Sequence, residues 1–89
     1  MSKAALAMLT KSLALELAPD NIRVNAVAPG AALLPEGADA EHARALTRRI
    51  PLGRLAGAEE IARAVCYLVQ SEFVTGHTLV VDGGRSLAP

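Results

Sequence analysis

Apolar residues near the N-terminus recur on a helical period. Leu6, Leu9, Leu13 and Leu17 fall at spacings of three, four and four, which predicts a helix over residues 2–18. Met8, Leu15 and several alanines widen its apolar surface, so it needs cover on more than one side. Pro19, Asp20 and Asn21 stop it. No capping box opens it, because Ala5 stands where a Glu or Gln would complete one with Ser2. Residues 22–28 then become nearly continuously apolar, the pattern of a parallel strand covered on both faces, and Pro29-Gly30 ends it. Residues 31–38 read as a loop. Asp39 caps a short helix running through Arg49, and Pro51-Leu52-Gly53 closes that segment. Residues 59–70 form the next helix, with Ile61, Val65, Leu68 and Val69 on its apolar face and Glu59 and Glu60 at its N-terminal end. Thr75-Gly76 turns the chain into a second strand over residues 78–81, ended by Asp82-Gly83-Gly84.

Two apolar strands separated by a helical crossover argue for an α/β fold with parallel pairing. Two strands alone leave edges and faces uncovered, so Val24, Val27, Leu79, Val80 and Val81 read as part of a larger sheet. The 89 residues allow one small domain at most. Cys66 is the single cysteine, which excludes an intrachain disulfide and suits an intracellular, cytoplasmic setting. His42 and His77 stand apart with no cysteine cluster, so no zinc site is expected. Nine basic residues balance nine acidic ones, with one Tyr, one Phe and no Trp, and this gives nucleic acid no footprint to bind. The apolar stretch after Lys3 is interrupted by Lys11 and Glu16 on a helical period, which favours a packed helix over a signal peptide. No apolar run reaches membrane-spanning length.

Five segments occur in a fixed order. They are Ser2-Lys3-Ala4-Ala5-Leu6, the stretch Ile22-Arg23-Val24-Asn25-Ala26-Val27-Ala28-Pro29-Gly30, then Pro51-Leu52-Gly53-Arg54, then Glu59-Glu60-Ile61-Ala62, and finally Val74-Thr75-Gly76 with Val81-Asp82-Gly83-Gly84. Together they resemble the C-terminal part of a short-chain dehydrogenase/reductase, over essentially the whole chain. The resemblance implies a Rossmann-type doubly wound parallel sheet, of which this chain would hold two strands and about three helices. The nucleotide-binding N-terminal half would lie upstream. It also implies hydride transfer with NADPH, NAD being the other option, and a homo-oligomer, tetramer or dimer, packed through the first helix.

Within that resemblance Lys3 matches the lysine of the family's Tyr-x-x-x-Lys pair, and the tyrosine would stand ahead of Met1. A phenol with a free pKa of about 10 must exchange a proton near neutral pH, and a nearby ammonium lowers that pKa. Positions four apart on a helix share a face, so both groups can reach one cleft. By the same resemblance Lys3 also holds the nicotinamide ribose. Tyr67 cannot serve instead, because position 71 is Ser. Pro29 and Gly30 stand at the carboxyl end of a strand, where α/β sheets place ligands, and the resemblance adds Ala32 as a backbone contact to the nicotinamide. Leu34 occupies a place where many members carry Thr near the pyrophosphate. The run Pro29-Gly30-Ala31-Ala32-Leu33-Leu34-Pro35-Glu36-Gly37 and the ending around Phe73 and Leu87 are most similar to the pteridine reductase branch. That branch implies a pterin or dihydropterin substrate lined by residues 31–37, including Leu33, Leu34, Pro35 and Glu36. Acyl-carrier-protein and sugar-alcohol reductases are the alternatives within the family. A non-catalytic fragment or oligomerisation module is the alternative outside enzymology, and on either reading the 89-residue chain is expected to be inactive alone, without the tyrosine and the glycine-rich loop.

Other residues carry plainer readings. Asn25 reads as a structural hydrogen-bonder, Cys66 as a small core hydrophobe, and His77 as a surface or interface residue. Gly53 and Gly57 follow no strand and make no phosphate loop. Arg48 and Arg49 read as a solvated helix end that could steer an anion. Asp82-Gly83-Gly84 reads as a turn shaping the cleft wall and a subunit contact, without chemistry of its own.

Overall fold

The computed structural model describes residues 2–30 and 39–88. Helix α1 (Lys3–Leu17) starts at Ser2, whose hydroxyl accepts a hydrogen bond from the Ala5 amide at 3.1 Å. The helix therefore has a side-chain cap although it lacks the full capping box. A short 3-10 turn over Ala18–Asp20 ends it, and Asn21 takes the left-handed conformation that closes such ends. Strand β1 (Ala26–Pro29) follows, then α2 (Ala40–Arg48), α3 (Ala58–Gln70), β2 (Thr78–Val81) and a 3-10 turn over Arg85–Leu87. Asp39 caps α2 as expected, its carboxylate accepting from the His42 amide at 2.8 Å.

The strands pair in parallel, with Ala26 opposite Thr78 and Pro29 opposite Val81. Helix α3 packs against both strands and α1 against β1. The fold is the expected α/β type. Strand β1 is shorter than the predicted 22–28, for a visible reason. Ahead of Ala26 the chain is held by side chains and by the turn before β2, outside the regular ladder. The Val24 amide donates to the Thr75 hydroxyl at 3.1 Å, and the Gly76 amide donates to the Val24 carbonyl at 2.7 Å.

The leucine stripe expected on α1 is not the face that packs here. Thr10 and Ala14 are buried, Leu13 and Leu17 are half-buried, and Leu6 and Leu9 are exposed. Small residues let the helix approach closely: a side chain at Gly76 would meet the Ala14 methyl at 3.4 Å. Met8 and Leu15 are exposed as well, so the cover expected on a second side of α1 does not come from the described residues. On α3, Ala64 and Leu68 are buried while Val65 and Val69 are exposed. Cys66 is exposed, which corrects its reading as a core residue. It lies two positions from both Ala64 and Leu68, and a helix of 3.6 residues per turn puts it on the opposite side.

Candidate active site

The carboxyl ends of β1 and β2 lie side by side. The Gly30 amide donates to the Val81 carbonyl at 3.0 Å. Gly30 then passes so close to Asp82 that an added Cβ would stand 2.6 Å from the Asp82 Cβ and 3.0 Å from its Cα. Only glycine fits such an approach without moving backbone.

Asp82 is itself firmly held. One carboxylate oxygen accepts from the Gly84 amide at 2.9 Å and the other from the Ser86 amide at 2.8 Å. Hydrogen bonding from Ser86, side chain first and backbone second, holds its carboxyl below the usual aspartate range. The Gly84 amide and, last, the Lys3 ammonium act in the same direction. Lys3 thus stands within electrostatic reach of Asp82. It is the first residue of α1, exposed, on a helix start fixed by the Ser2 cap.

The turn after Asp82 is seated on the segment that follows α2. Gly83 has φ +63°, and a Cβ there would come within 2.7 Å of the Ile50 side chain. Ile50 is buried, and the Leu52 amide donates to the Gly83 carbonyl at 3.0 Å. The Pro51-Leu52 and Asp82-Gly83-Gly84 motifs, some thirty residues apart in the chain, therefore form one wall.

Of the site residues expected from sequence, Pro29 and Gly30 fall in this region, with Pro29 the exposed last residue of β1, and Lys3 begins α1. Ala32, Leu33, Leu34, Pro35 and Glu36 lie outside the described residues. Asn25 is a structural hydrogen-bonder: its amide nitrogen donates to the Val74 carbonyl at 2.9 Å and its oxygen accepts from the His77 amide at 3.0 Å. His77, Arg48 and Arg49 are exposed.

Three polar groups have partners that the sequence pattern does not show. Asp82 reads from sequence as part of a turn, and in the structure its carboxylate accepts from amides two and four positions on, a known turn device. Arg23 donates to the Leu68, Val69 and Ser71 carbonyls at 2.7–3.0 Å, closing the end of α3. Glu60 accepts from the Gly57 amide at 2.8 Å and also pairs with Arg54. Nothing in the local pattern around Arg23 announces a partner 45 residues away.

A cleft of about 430 Å³ lies between α3 and the approach to β1, and two of its three polar lining residues, Arg23 and Asn25, are already engaged with backbone. A second, of about 260 Å³, opens beside the end of β2 between Leu52, Arg54, Ala56, Glu60, Val81 and Gly83. Among the described residues no group of three or more His, Cys, Asp or Glu side chains could hold a metal ion, and no helix is long and apolar enough to cross a membrane.

Parallel strands joined by a helical crossover define an α/β fold, with Pro29, Gly30 and Asp82 at the carboxyl ends of its strands. The family model described as enoyl-(acyl carrier protein) reductase matches residues 1–86. The chain belongs to the short-chain dehydrogenase/reductase family, whose members generally use NAD or NADP. It is 49% identical over 94 residues to 3beta-hydroxysteroid dehydrogenase 1 of Eggerthella lenta, a match covering 99% of this chain and 36% of that protein. It is 46% identical over 89 residues to L-xylulose reductase of Mus musculus, covering 93% of this chain and 36% of that protein. A solved structure from Escherichia coli str. K-12, described as an oxidoreductase, superposes with a TM-score of 0.79 at 43% identity, covering 98% of this chain and 34% of that one. The chain spans about a third of the length of these relatives.

The donor set suits one end of a nicotinamide dinucleotide. Lys3 offers a cation for hydroxyl oxygens, and the end of β1 offers backbone at a residue without a side chain. No glycine-rich phosphate cradle follows a strand among the described residues.

Proposed function

We propose that this chain is the C-terminal part of an NADPH-dependent short-chain reductase and contributes its catalytic lysine. A bound nicotinamide would supply the hydride. Lys3 would hold the adjoining ribose hydroxyls and lower the pKa of a phenol four positions earlier on the same helix, so that the phenol can protonate the nascent oxygen. Pro29 and Gly30 would direct the chain out of β1 along the cofactor. What supports this reading is the family match over residues 1–86 together with the close approach of Gly30 to Asp82 at the carboxyl ends of both strands.

A carbonyl group is the favoured substrate class. The names of the relatives support it, since they include a carbonyl reductase of Xenopus laevis and the human 3-oxoacyl-[acyl-carrier-protein] reductase. A pterin ring is the second reading, motivated by the run from Pro29 to Gly37. The test takes the gene product as its own cells make it, with its intact mass. It follows NADPH and NADH oxidation against a ketose, a 3-oxoacyl thioester, a 3-ketosteroid and a dihydropterin. Lys3→Ala is expected to lower kcat/KM by roughly a hundredfold or more. Full activity in that variant would sink the assignment of Lys3. Turnover of the dihydropterin alone would reverse the order of the two substrate readings.

A further inference from the structure

We propose that Gly83 is a positioning residue: lacking a side chain, it seats Ile50, and through Ile50 it holds helix α2 at the carboxyl end of β2, where α2 helps to select the substrate. The part about substrate rests on the reductase reading given above.

The chain that leaves β1 at Gly30 comes back to the same turn at Ile50. Gly30 lies against Asp82, while Ile50, Pro51 and Leu52 lie against Gly83 and Gly84. Sheets of this class bind ligands at this end of their strands. Helix α2 belongs to that excursion and has little hold of its own. None of its residues is buried, whereas Ile50, just past its end, is 5% exposed. The helix is stiffly joined to that anchor, because the Arg49 and Ile50 amides donate to the Leu46 and Thr47 carbonyls at 3.0 and 3.1 Å. The place of Ile50 therefore decides where α2 stands, and a helix of 9 residues carries any tilt over about 13 Å.

Backbone conformation alone does not require glycine at position 83. Its φ is +63°, and Asn21 holds φ +60° in this same chain. The seat is what excludes a side chain. An added Cβ would stand 2.7 Å from the Ile50 Cγ2 and 3.5 Å from the Leu52 Cβ. That Cγ2 belongs to a β-branched, buried side chain, which cannot swing aside. Gly53 offers the comparison, with φ +80° and nothing within 4 Å of an added Cβ.

The test compares Gly83→Ala with Gly53→Ala and wild type in the native-length gene product. Both variants strain a left-handed backbone, but only Gly83→Ala displaces Ile50. Two readouts are taken. The first is amide hydrogen exchange in α2, relative to the β1–β2 ladder. The second is KM for the carbonyl substrate, which does not depend on how much enzyme is folded. In Gly83→Ala we expect α2 amides to exchange at least about tenfold faster, with ladder amides within about threefold of wild type. We also expect KM to change at least about fivefold, with kcat per folded molecule within about threefold. Gly53→Ala should leave both readouts within about twofold. A merely structural role would speed exchange in the ladder as much as in α2 and leave KM unmoved. Exchange in α2 no faster in Gly83→Ala than in Gly53→Ala overturns the proposal, and so does an unmoved KM. If Gly83→Ala does not fold, Ile50→Ala is read by the same criteria, since it removes the seated group and leaves the turn intact. A wild type inert toward every substrate and both coenzymes sinks the reductase reading instead, and the exchange comparison then decides the positioning by itself.

Discussion

Arg23 sends its guanidinium to three carbonyls at the end of α3, where the helix leaves acceptors unpaired and the macrodipole is negative. Arg23→Ala should cost about 2 kcal/mol, as expected for hydrogen bonds from a charged donor, measured by denaturant unfolding. Arg23→Lys should recover only part of this, because a single ammonium cannot replace a planar fork serving three acceptors. An unchanged unfolding midpoint in the alanine variant would show that solvent satisfies those carbonyls equally well. At this scale the sequence was unevenly legible. Asn25 could be read as structural because an amide in an apolar strand must find partners. Arg23, two positions earlier, looked like an ordinary polar residue of the strand, since its partners are fixed only by tertiary folding. Asp82 was legible as a turn former. Its contact with Gly30 depends on how two strand ends are set side by side.

Helix α3 opens on a glycine, and Glu60 in its first turn supplies the cap by reaching back to the Gly57 amide. Hydrogen bonding from Arg54 first, and from the Gly57 amide second, lowers the Glu60 carboxyl from its ordinary 4.5 to about 2. The folded pKa lies below the unfolded one, so the ionised carboxylate favours the folded state. That contribution is complete above pH 4.5 and is lost as pH falls through about 2. The wild-type melting temperature should therefore decline over this window more steeply than that of Glu60→Gln. Parallel profiles for the two proteins would remove Glu60 from the account. Arg54 is exposed and Glu60 half-buried, so solvent reaches the ion pair and added salt should shrink the difference. Elements were the most readable level of the sequence. All three helices and β2 lie within two residues of their predicted bounds, because period and punctuation agree there. The faces were less readable. The stripe of Leu6, Leu9, Leu13 and Leu17 is a true period, yet Thr10 and Ala14 make the close contact. Periodicity identifies an apolar side but not which neighbour presses on it.

The whole molecule exposes 6517 Å². A compact monomer of its 9.2 kDa would expose about 4900 Å². Its radius of gyration is 15.2 Å, against about 12 Å expected for a globule of this length. Among the described residues none is buried below 2%, and Met8, Leu15, Leu52, Val69 and Phe73 are all more than 60% exposed. Such an area of apolar surface calls for a partner, intramolecular or otherwise. The 89-residue chain produced by itself should therefore self-associate at micromolar concentration and melt over a broad range. Light scattering and calorimetry would check this, and a monodisperse monomer with one sharp transition would contradict it. The small number of strands and the excess of apolar residues for them were both evident from sequence. The size of the uncovered surface was not, because it depends on which faces the two strands and three helices turn toward each other.

The pairing of β1 with β2 also has a consequence in time. Asn25 and His77, which stand at the entrance to the two strands, are 52 positions apart and hydrogen-bonded. At 5–20 residues per second of synthesis, the first strand waits roughly 3–10 s before its partner exists. The only structure that can form meanwhile is local, which means the helices between them. The ladder, the seat under Gly30 and the grip of Arg23 on α3 must all close late, once the crossover has brought distant segments together. A newborn chain therefore carries an unpaired, apolar strand through the most crowded seconds of its life. Its risk of wrong pairing is set by the distance between two short segments rather than by the weakness of either.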